Sequence, residues 1–112
     1  MLFRSPLDTP DSDGDWSGGP APGRALVDAP LGNGWLVDGL GRDFTLLTFD
    51  RPVDPPPDLA QVTVECSGLA GKRYDARPGT TYLVRPDRYV AARWRRYDGL
   101  AVEAALARAT GY

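Results

Sequence analysis

Thr80-Thr81-Tyr82-Leu83-Val84-Arg85-Pro86-Asp87-Arg88-Tyr89-Val90-Ala91-Ala92-Arg93-Trp94 decides how this chain folds. Apolar and β-branched residues flank a Pro-Asp pair on both sides, which is the short-range pattern of two antiparallel strands. A two-residue hairpin loop with positive φ at both central positions is closed to Pro86. The expected turn is therefore type I through Pro86-Asp87, with Arg88 in the left-handed bulge position and residue 84 opposite residue 90. A non-glycine residue there costs about 1–2 kcal/mol. Continued regularly, this register puts Tyr82, Val84, Val90, Ala92 and Trp94 on one face, and Thr81, Leu83, Tyr89 and Arg93 on the other.

Upstream, Phe44-Thr45-Leu46-Leu47-Thr48-Phe49 reads as a central strand covered on both faces. Gln61-Val62-Thr63-Val64-Glu65-Cys66 reads as a second strand, with Cys66 a buried, small apolar side chain late within it. Between them, four prolines within residues 52–57 forbid a helix interior and favour extended backbone, so a crossover helix shrinks to a turn around Asp58-Leu59-Ala60. Ser67 to Gly79 reads as a loop. Trp35 to Gly41 suits one or two helical turns. Asp98 is a good N-cap for a closing helix whose apolar face carries Val102, Ala105, Leu106 and Ala109, with Gly111 as its stop.

Residues 1–30 are rich in Pro, Gly, Asp and Ser, with Trp16 almost their only large apolar anchor. They are expected to form an extended lead-in or linker over the surface of a domain spanning residues 31–112. Strand, Pro-rich crossover, strand, loop, hairpin and helix together give an α/β, thioredoxin-like fold. Its mixed four-stranded sheet combines two parallel strands with the C-terminal hairpin, a C-terminal helix and the long irregular lead-in.

Composition narrows the function. The chain has 112 residues, net charge −2, no histidine and one cysteine. That length suits one domain, and the charge supplies no basic field to gather nucleic acid or an anionic membrane surface. The first residues lack the apolar core of a signal peptide, and no span is long enough to cross a membrane, so the expected compartment is the cytoplasm. Cys66 alone allows no intrachain disulfide and suits reducing surroundings. Twelve arginines against the single Lys72, with abundant Ala, Gly and Pro, suit a GC-rich bacterial genome.

Without histidine, Ser-His and Cys-His catalysis and histidine metal sites are excluded. Dithiol chemistry needs a Cys-x-x-Cys pair where Asp50-Arg51-Pro52-Val53 stands. Gly32-Asn33-Gly34 opens no strand-to-helix unit and lacks a third glycine, so it makes no flavin cradle. Asp11-Ser12-Asp13-Gly14-Asp15 spaces oxygens like a calcium loop, but Trp16 and Pro22 occupy the positions that need glycine and glutamate. Arg93-Trp94-Arg95-Arg96-Tyr97 mixes cations and aromatics as a nucleic-acid strand binder does, yet these arginines equally suit pairing with carboxylates on a partner domain. The residues thus name no catalytic, cofactor-binding or metal site.

Ser5-Pro6-Leu7-Asp8-Thr9-Pro10-Asp11, Gly18-Gly19-Pro20-Ala21-Pro22-Gly23, Phe44-Thr45-Leu46-Leu47 and Tyr82-Leu83-Val84-Arg85-Pro86-Asp87, in this order and spacing, resemble the C-terminal thioredoxin-like domain of FAD-dependent aromatic-ring hydroxylases. These flavoprotein monooxygenases include phenol hydroxylase and 3-(3-hydroxyphenyl)propionate hydroxylase. The resemblance implies a non-catalytic structural or interaction domain without a redox motif. FAD, NAD(P)H and the aromatic substrate would belong to parts of an enzyme absent from this chain. It also implies a partner, either the flavin domain of a monooxygenase or a second copy in a homodimer, while the charge balance read above gives no nucleic acid and no membrane as partners. The alternative is a free-standing thioredoxin-like binding module with its own protein partner or small ligand. Two departures stand out: Arg88 where the turn usually has glycine, and the Pro-rich stretch in place of a longer crossover. The second is expected to leave one sheet face less covered.

Overall fold

A computed structural model describes residues 8–11, 14–31, 34–40, 42–57 and 59–110. The first elements are a minimal antiparallel ribbon, β1 (Pro30–Leu31) and β2 (Gly34–Trp35), followed by a single 3₁₀ turn over Val37–Gly39. The helical turn expected from Trp35 to Gly41 is thus shorter, and Trp35 stands in the ribbon, half exposed. Four strands form the main sheet: β3 (Thr45–Phe49), β4 (Ala60–Val64), β5 (Thr81–Val84) and β6 (Val90–Trp94). Their order is β4-β3-β5-β6, with β3 and β4 parallel and the other neighbours antiparallel. This is the mixed α/β arrangement expected from the sequence. All five residues of β3 are buried, as its position between two strands requires. The closing helix α2 (Gly99–Ala109) begins at Asp98, whose carboxylate accepts from the Leu100 and Ala101 amides at 3.1 and 3.3 Å. Gly111 lies outside the described residues.

The hairpin turn follows its sequence. Arg88 has φ 68°, its amide donates to the Arg85 carbonyl at 3.0 Å, and Val84 pairs with Val90. Beyond that pair the regular continuation fails. Val84 is opposite Val90 but Leu83 is opposite Ala92, so Ala91 is an extra residue in β6, a β-bulge. The bulge reverses the faces of everything after it. Ala92 and Trp94 pack with Leu83, Leu46 and α2, while Arg93 pairs with Tyr82 and stands on the opposite face. The expected placement of Tyr82, Val84 and Val90 together is correct. That of Ala92, Trp94 and Arg93 is inverted.

A second correction concerns residues 67–79, which hold a short helix, α1 (Leu69–Arg73). Gly71 makes it possible, because a Cβ there would fall 1.8 Å from the Cys66 carbonyl oxygen. The chain before α1 can therefore pass directly against the helix backbone. Cys66 also lies beyond β4 rather than within it, and is only half-buried.

Both sheet faces are covered. One carries Leu47, Phe49, Val64, Tyr82, Val84 and Val90 under Ala29, Leu36, Leu40, Ala70 and Tyr74, with Trp16 and Leu26 of the lead-in packed against them. The other carries Leu46, Leu83, Ala92 and Trp94 under Val102, Ala105 and Ala109 of α2, with Leu59 and Val53 closing the Pro-rich end. The crossover needs no helix because Gln61 ties it down: its side chain accepts from the Val53 amide at 2.7 Å and donates to the Val53 carbonyl at 2.8 Å. The less covered face expected from the proline run is thus filled. Residues 23–26 run antiparallel along β6, with Gly23 N–H donating to Val90 O, Val90 N–H to Arg24 O and Leu26 N–H to Arg88 O at 2.8–2.9 Å. That edge of the sheet is closed, leaving β4 as the open one.

Candidate functional site

The densest polar constellation lies where the lead-in crosses β6. Since the bulge turns Arg93 toward Tyr82 and strand alternation puts Arg95 on the same side, two guanidinium groups face the lead-in. Their Cζ atoms sit 4.0 and 3.7 Å from the Trp16 ring centroid. Arg93 is 5% exposed and grips Asp11 with both ends of its fork, Nε to Oδ1 at 2.9 Å and Nη2 to Oδ2 at 2.8 Å. Its third donor, Nη1, reaches the Gly18 carbonyl at 2.9 Å. Arg95 donates from Nε to Asp15 at 3.1 Å and from Nη2 to Asp75 at 2.9 Å. Arg77 meets the other Asp15 oxygen at 2.6 Å, and Arg85 meets the nearly buried Asp8 at 3.2 Å.

Asp75 is the hub on the other side. Its Oδ2 accepts from the Ser17 amide at 2.8 Å and the Gly18 amide at 3.2 Å as well as from Arg95. The Ser17 amide and the Arg95 guanidinium hold this carboxyl below the usual carboxylate range, and Arg95 and Arg77 do the same for Asp15. Gly19 follows with φ 76°, where a Cβ would lie 2.6 Å from the Tyr82 hydroxyl. Only glycine allows the lead-in so close to the sheet. The Tyr82 hydroxyl donates to the Tyr74 carbonyl at 2.6 Å, and burial pushes its pKa up to about 12. Trp16 stands edge-on to Tyr82 at 5.8 Å.

This clasp settles the use of several candidate residues. Asp11 and Asp15 serve as arginine partners, whereas Ser12 and Asp13 of the calcium-like run lie outside the described residues. Arg93 and Arg95 are turned into their own chain, and Trp94 is core beneath α2, which removes three members of the nucleic-acid-like run. The carboxylates these arginines pair with are the chain's own. Reading Arg93 and Arg95 as a same-face pair against Asp11 and Asp15 would have found the clasp, but only with the bulge in hand.

At the position of a dithiol pair, Asp50 directly follows β3 with φ 64°, and among the described residues no helix lies between β3 and β4. Its carboxylate accepts from the Cys66 amide at 2.8 Å and the Cys66 thiol at 2.9 Å. That bond to Asp50, helped by burial, raises the thiol pKa, while the bonds from Cys66 lower that of Asp50. A thiol donating to a carboxylate is held in its protonated, poorly nucleophilic form.

Among the described residues, no glycine opens a cradle for a flavin pyrophosphate. Gly19 and Gly71 are kept small by the chain's own Tyr82 hydroxyl and Cys66 carbonyl, and Gly34 belongs to β2, with Gly32 and Asn33 outside the described residues. Among the described residues no three metal-ligating side chains gather, and no helix is long and apolar enough to cross a membrane.

No protein-family model matches the chain, and no curated protein matches it by sequence. Solved structures do. The flavin-dependent monooxygenase PieE, in complex with FAD and substrate, is 22% identical with a TM-score of 0.72, over 97% of this chain and 25% of its own. RebC-10x, in native and K252c-bound form, is 25% identical with a TM-score of 0.69, over 99% of this chain and 23% of its own. The rebeccamycin biosynthetic enzyme RebC with reduced flavin is 23% identical with a TM-score of 0.65, over 97% and 22%. The chain thus spans about a quarter of the length of these proteins. The resemblance to flavoprotein monooxygenases carried by its sequence motifs holds in three dimensions: this chain has the fold of one segment of flavin-dependent monooxygenases.

Proposed function

We propose that this chain is a non-catalytic structural and interaction domain of the kind that forms the C-terminal, thioredoxin-like part of an FAD-dependent aromatic-ring monooxygenase. The observation that carries the reading is the coverage: nearly all of this chain superposes on about a quarter of PieE, and PieE binds FAD and substrate. The local chemistry supports it. Arg93, Arg95, Asp11, Asp15 and Asp75 hold the lead-in to the sheet, and the Cys66 thiol is kept protonated by Asp50. Flavin, NAD(P)H and the aromatic substrate then belong to a flavin domain with which this one is associated. In the purified 112-residue chain, FAD fluorescence is expected to stay unquenched on titration, and NADPH oxidation is expected not to exceed the free-flavin background. Retention of FAD through gel filtration, or flavin-dependent NADPH oxidation, overturns the reading.

A further inference from the structure

Arg77, Arg85, Arg93 and Arg95 each meet an aspartate of their own chain within 3.2 Å. Arg24 and Arg73 do not: both are exposed, and neither forms an ion pair among the described residues. They line one cleft of about 610 Å³ between the lead-in and the C-terminal end of α1, with Pro20, Ala21 and Val27 as its apolar wall. None of the residues lining it is acidic. Asp28, next to Val27 in sequence, has its carboxylate engaged by the Ala29 and Val37 amides at 2.9 and 3.0 Å. The walls are held from behind. Gly19 is fixed against Tyr82, the Ala21 carbonyl accepts from the Arg24 amide at 3.0 Å, and the Arg24 carbonyl accepts from the Val90 amide at 2.9 Å. The Val27 carbonyl accepts from the Tyr74 hydroxyl. Arg73 donates from Nη1 to the Asp28 carbonyl at 2.7 Å, which leaves its Nε and Nη2 without a partner among the described residues.

We propose that this cleft binds a small organic phosphate monoester, with the phosphate held by Arg24 and Arg73 and the organic body laid on Pro20, Ala21 and Val27. The number of acceptors decides for phosphate. The two oxygens of a carboxylate satisfy one guanidinium fork, whereas a phosphate monoester has three terminal oxygens and nearly two negative charges at neutral pH, enough for two forks. Like charges lining one cleft repel, and a dianion between them turns that repulsion into attraction. The volume lies within the range of about 300–1,000 Å³ usual for small-molecule sites, which combine an apolar wall with a few polar groups as this one does. Because the walls are already tied to β6, Tyr74 and Asp28, little backbone has to be ordered on binding. The inference goes beyond the monooxygenase reading, and neither depends on the other.

Phenyl phosphate titrated into the 112-residue chain at neutral pH, followed by proton–nitrogen correlation NMR, tests the site. Its shifts are expected to gather on the amides of Gly19, Ala21, Arg24, Val27 and Arg73, with a dissociation constant of about 1 mM or below. Inorganic phosphate is expected to move the same amides with lower affinity, since it has no body for the apolar wall. Benzoate, with the same ring and one charge, is expected to bind at least about tenfold more weakly. Arg24→Gln and Arg73→Gln should each weaken phenyl phosphate at least about tenfold, as loss of a charge-assisted bond does. Arg96→Gln, outside the cleft, should change nothing, and added sodium chloride should weaken binding. The Arg24 side chain has no bond to the described residues, so its variant is expected to keep the parent fold, with far-UV circular dichroism as the check. Any of four results overturns the proposal: no shift in the cleft at about 10 mM phenyl phosphate, benzoate binding as tightly, an affinity indifferent to Arg24→Gln, or binding of a phosphoserine peptide but not of phenyl phosphate.

Discussion

Replacing Arg93 by alanine tests the clasp and the bulge together. The substitution removes a two-pronged bond to Asp11, the bond to the Gly18 carbonyl and the stack on Trp16. Asp11 keeps 24% of its side chain exposed, so water recovers part of its solvation once the arginine has gone. The loss is therefore smaller than for a fully buried pair. About 1–2 kcal/mol for the charged fork, about 1 for the carbonyl and about 0.5–1 for the stack sum to roughly 3 kcal/mol. With an m-value near 2 kcal/mol/M, the urea midpoint falls by about 1.5 M. The exposed Arg96, three residues along, is the control, and its alanine variant should move stability by no more than about 0.5 kcal/mol. An Asp11→Ala, Arg93→Ala cycle should show a coupling of at least about 1 kcal/mol. Equal midpoints for the Arg93 and Arg96 variants would mean that Arg93 does not face the lead-in, and the bulge at Ala91 would fall with it.

Other perturbations test the remaining parts. Trp94→Ala removes a core side chain beneath α2 and should destabilise by about 3–5 kcal/mol, speeding amide exchange in α2; unchanged exchange there would place Trp94 on the other face. Gly71→Ala drives a methyl group into the Cys66 carbonyl and should cost at least about 2 kcal/mol by calorimetry, whereas an open loop would tolerate it. Asp15 and Asp75 have folded pKa values below their ordinary ones, so their contribution is complete above the unfolded carboxylate pKa and is lost as pH falls through the folded values. Stability should be flat near neutrality and decline below about pH 4, and Asp75→Asn should flatten the decline. The pKa values of Tyr74 and Tyr82 are raised by burial, so their contribution is present below about pH 10 and lost as pH rises toward 12. Tyrosinate absorbance should show these two of the five tyrosines ionising only as the chain unfolds.

The local elements of this fold were legible because their signals are local. Proline at position 86 forced the turn type, and Arg88 took the left-handed place that the turn left for it. The apolar run at β3 and the cap at Asp98 each act within a few residues. What escaped the sequence depends on distant groups. The Ala91 bulge adds one residue without any glycine to mark it, and a single added residue exchanges the faces of Ala92, Arg93 and Trp94. Helix α1 is too short for periodicity to reveal, and it rests on Gly71 meeting a carbonyl five residues earlier. The clasp joins Asp11 to Arg93 and Asp15 to Arg95, about eighty positions apart, and so has no local pattern. Gln61 bonding Val53 replaces a crossover helix by two hydrogen bonds that no propensity announces.

If this chain works as an accessory part beside a flavin domain, the native polypeptide carrying the sequence shows it most directly. Isolated from its source cells, that polypeptide should be roughly four times the length of this chain, since the chain covers 25% of PieE, and should show the absorbance of a bound flavin. A colourless polypeptide of the chain's own 12.1 kDa, unaccompanied by any flavoprotein, would contradict it.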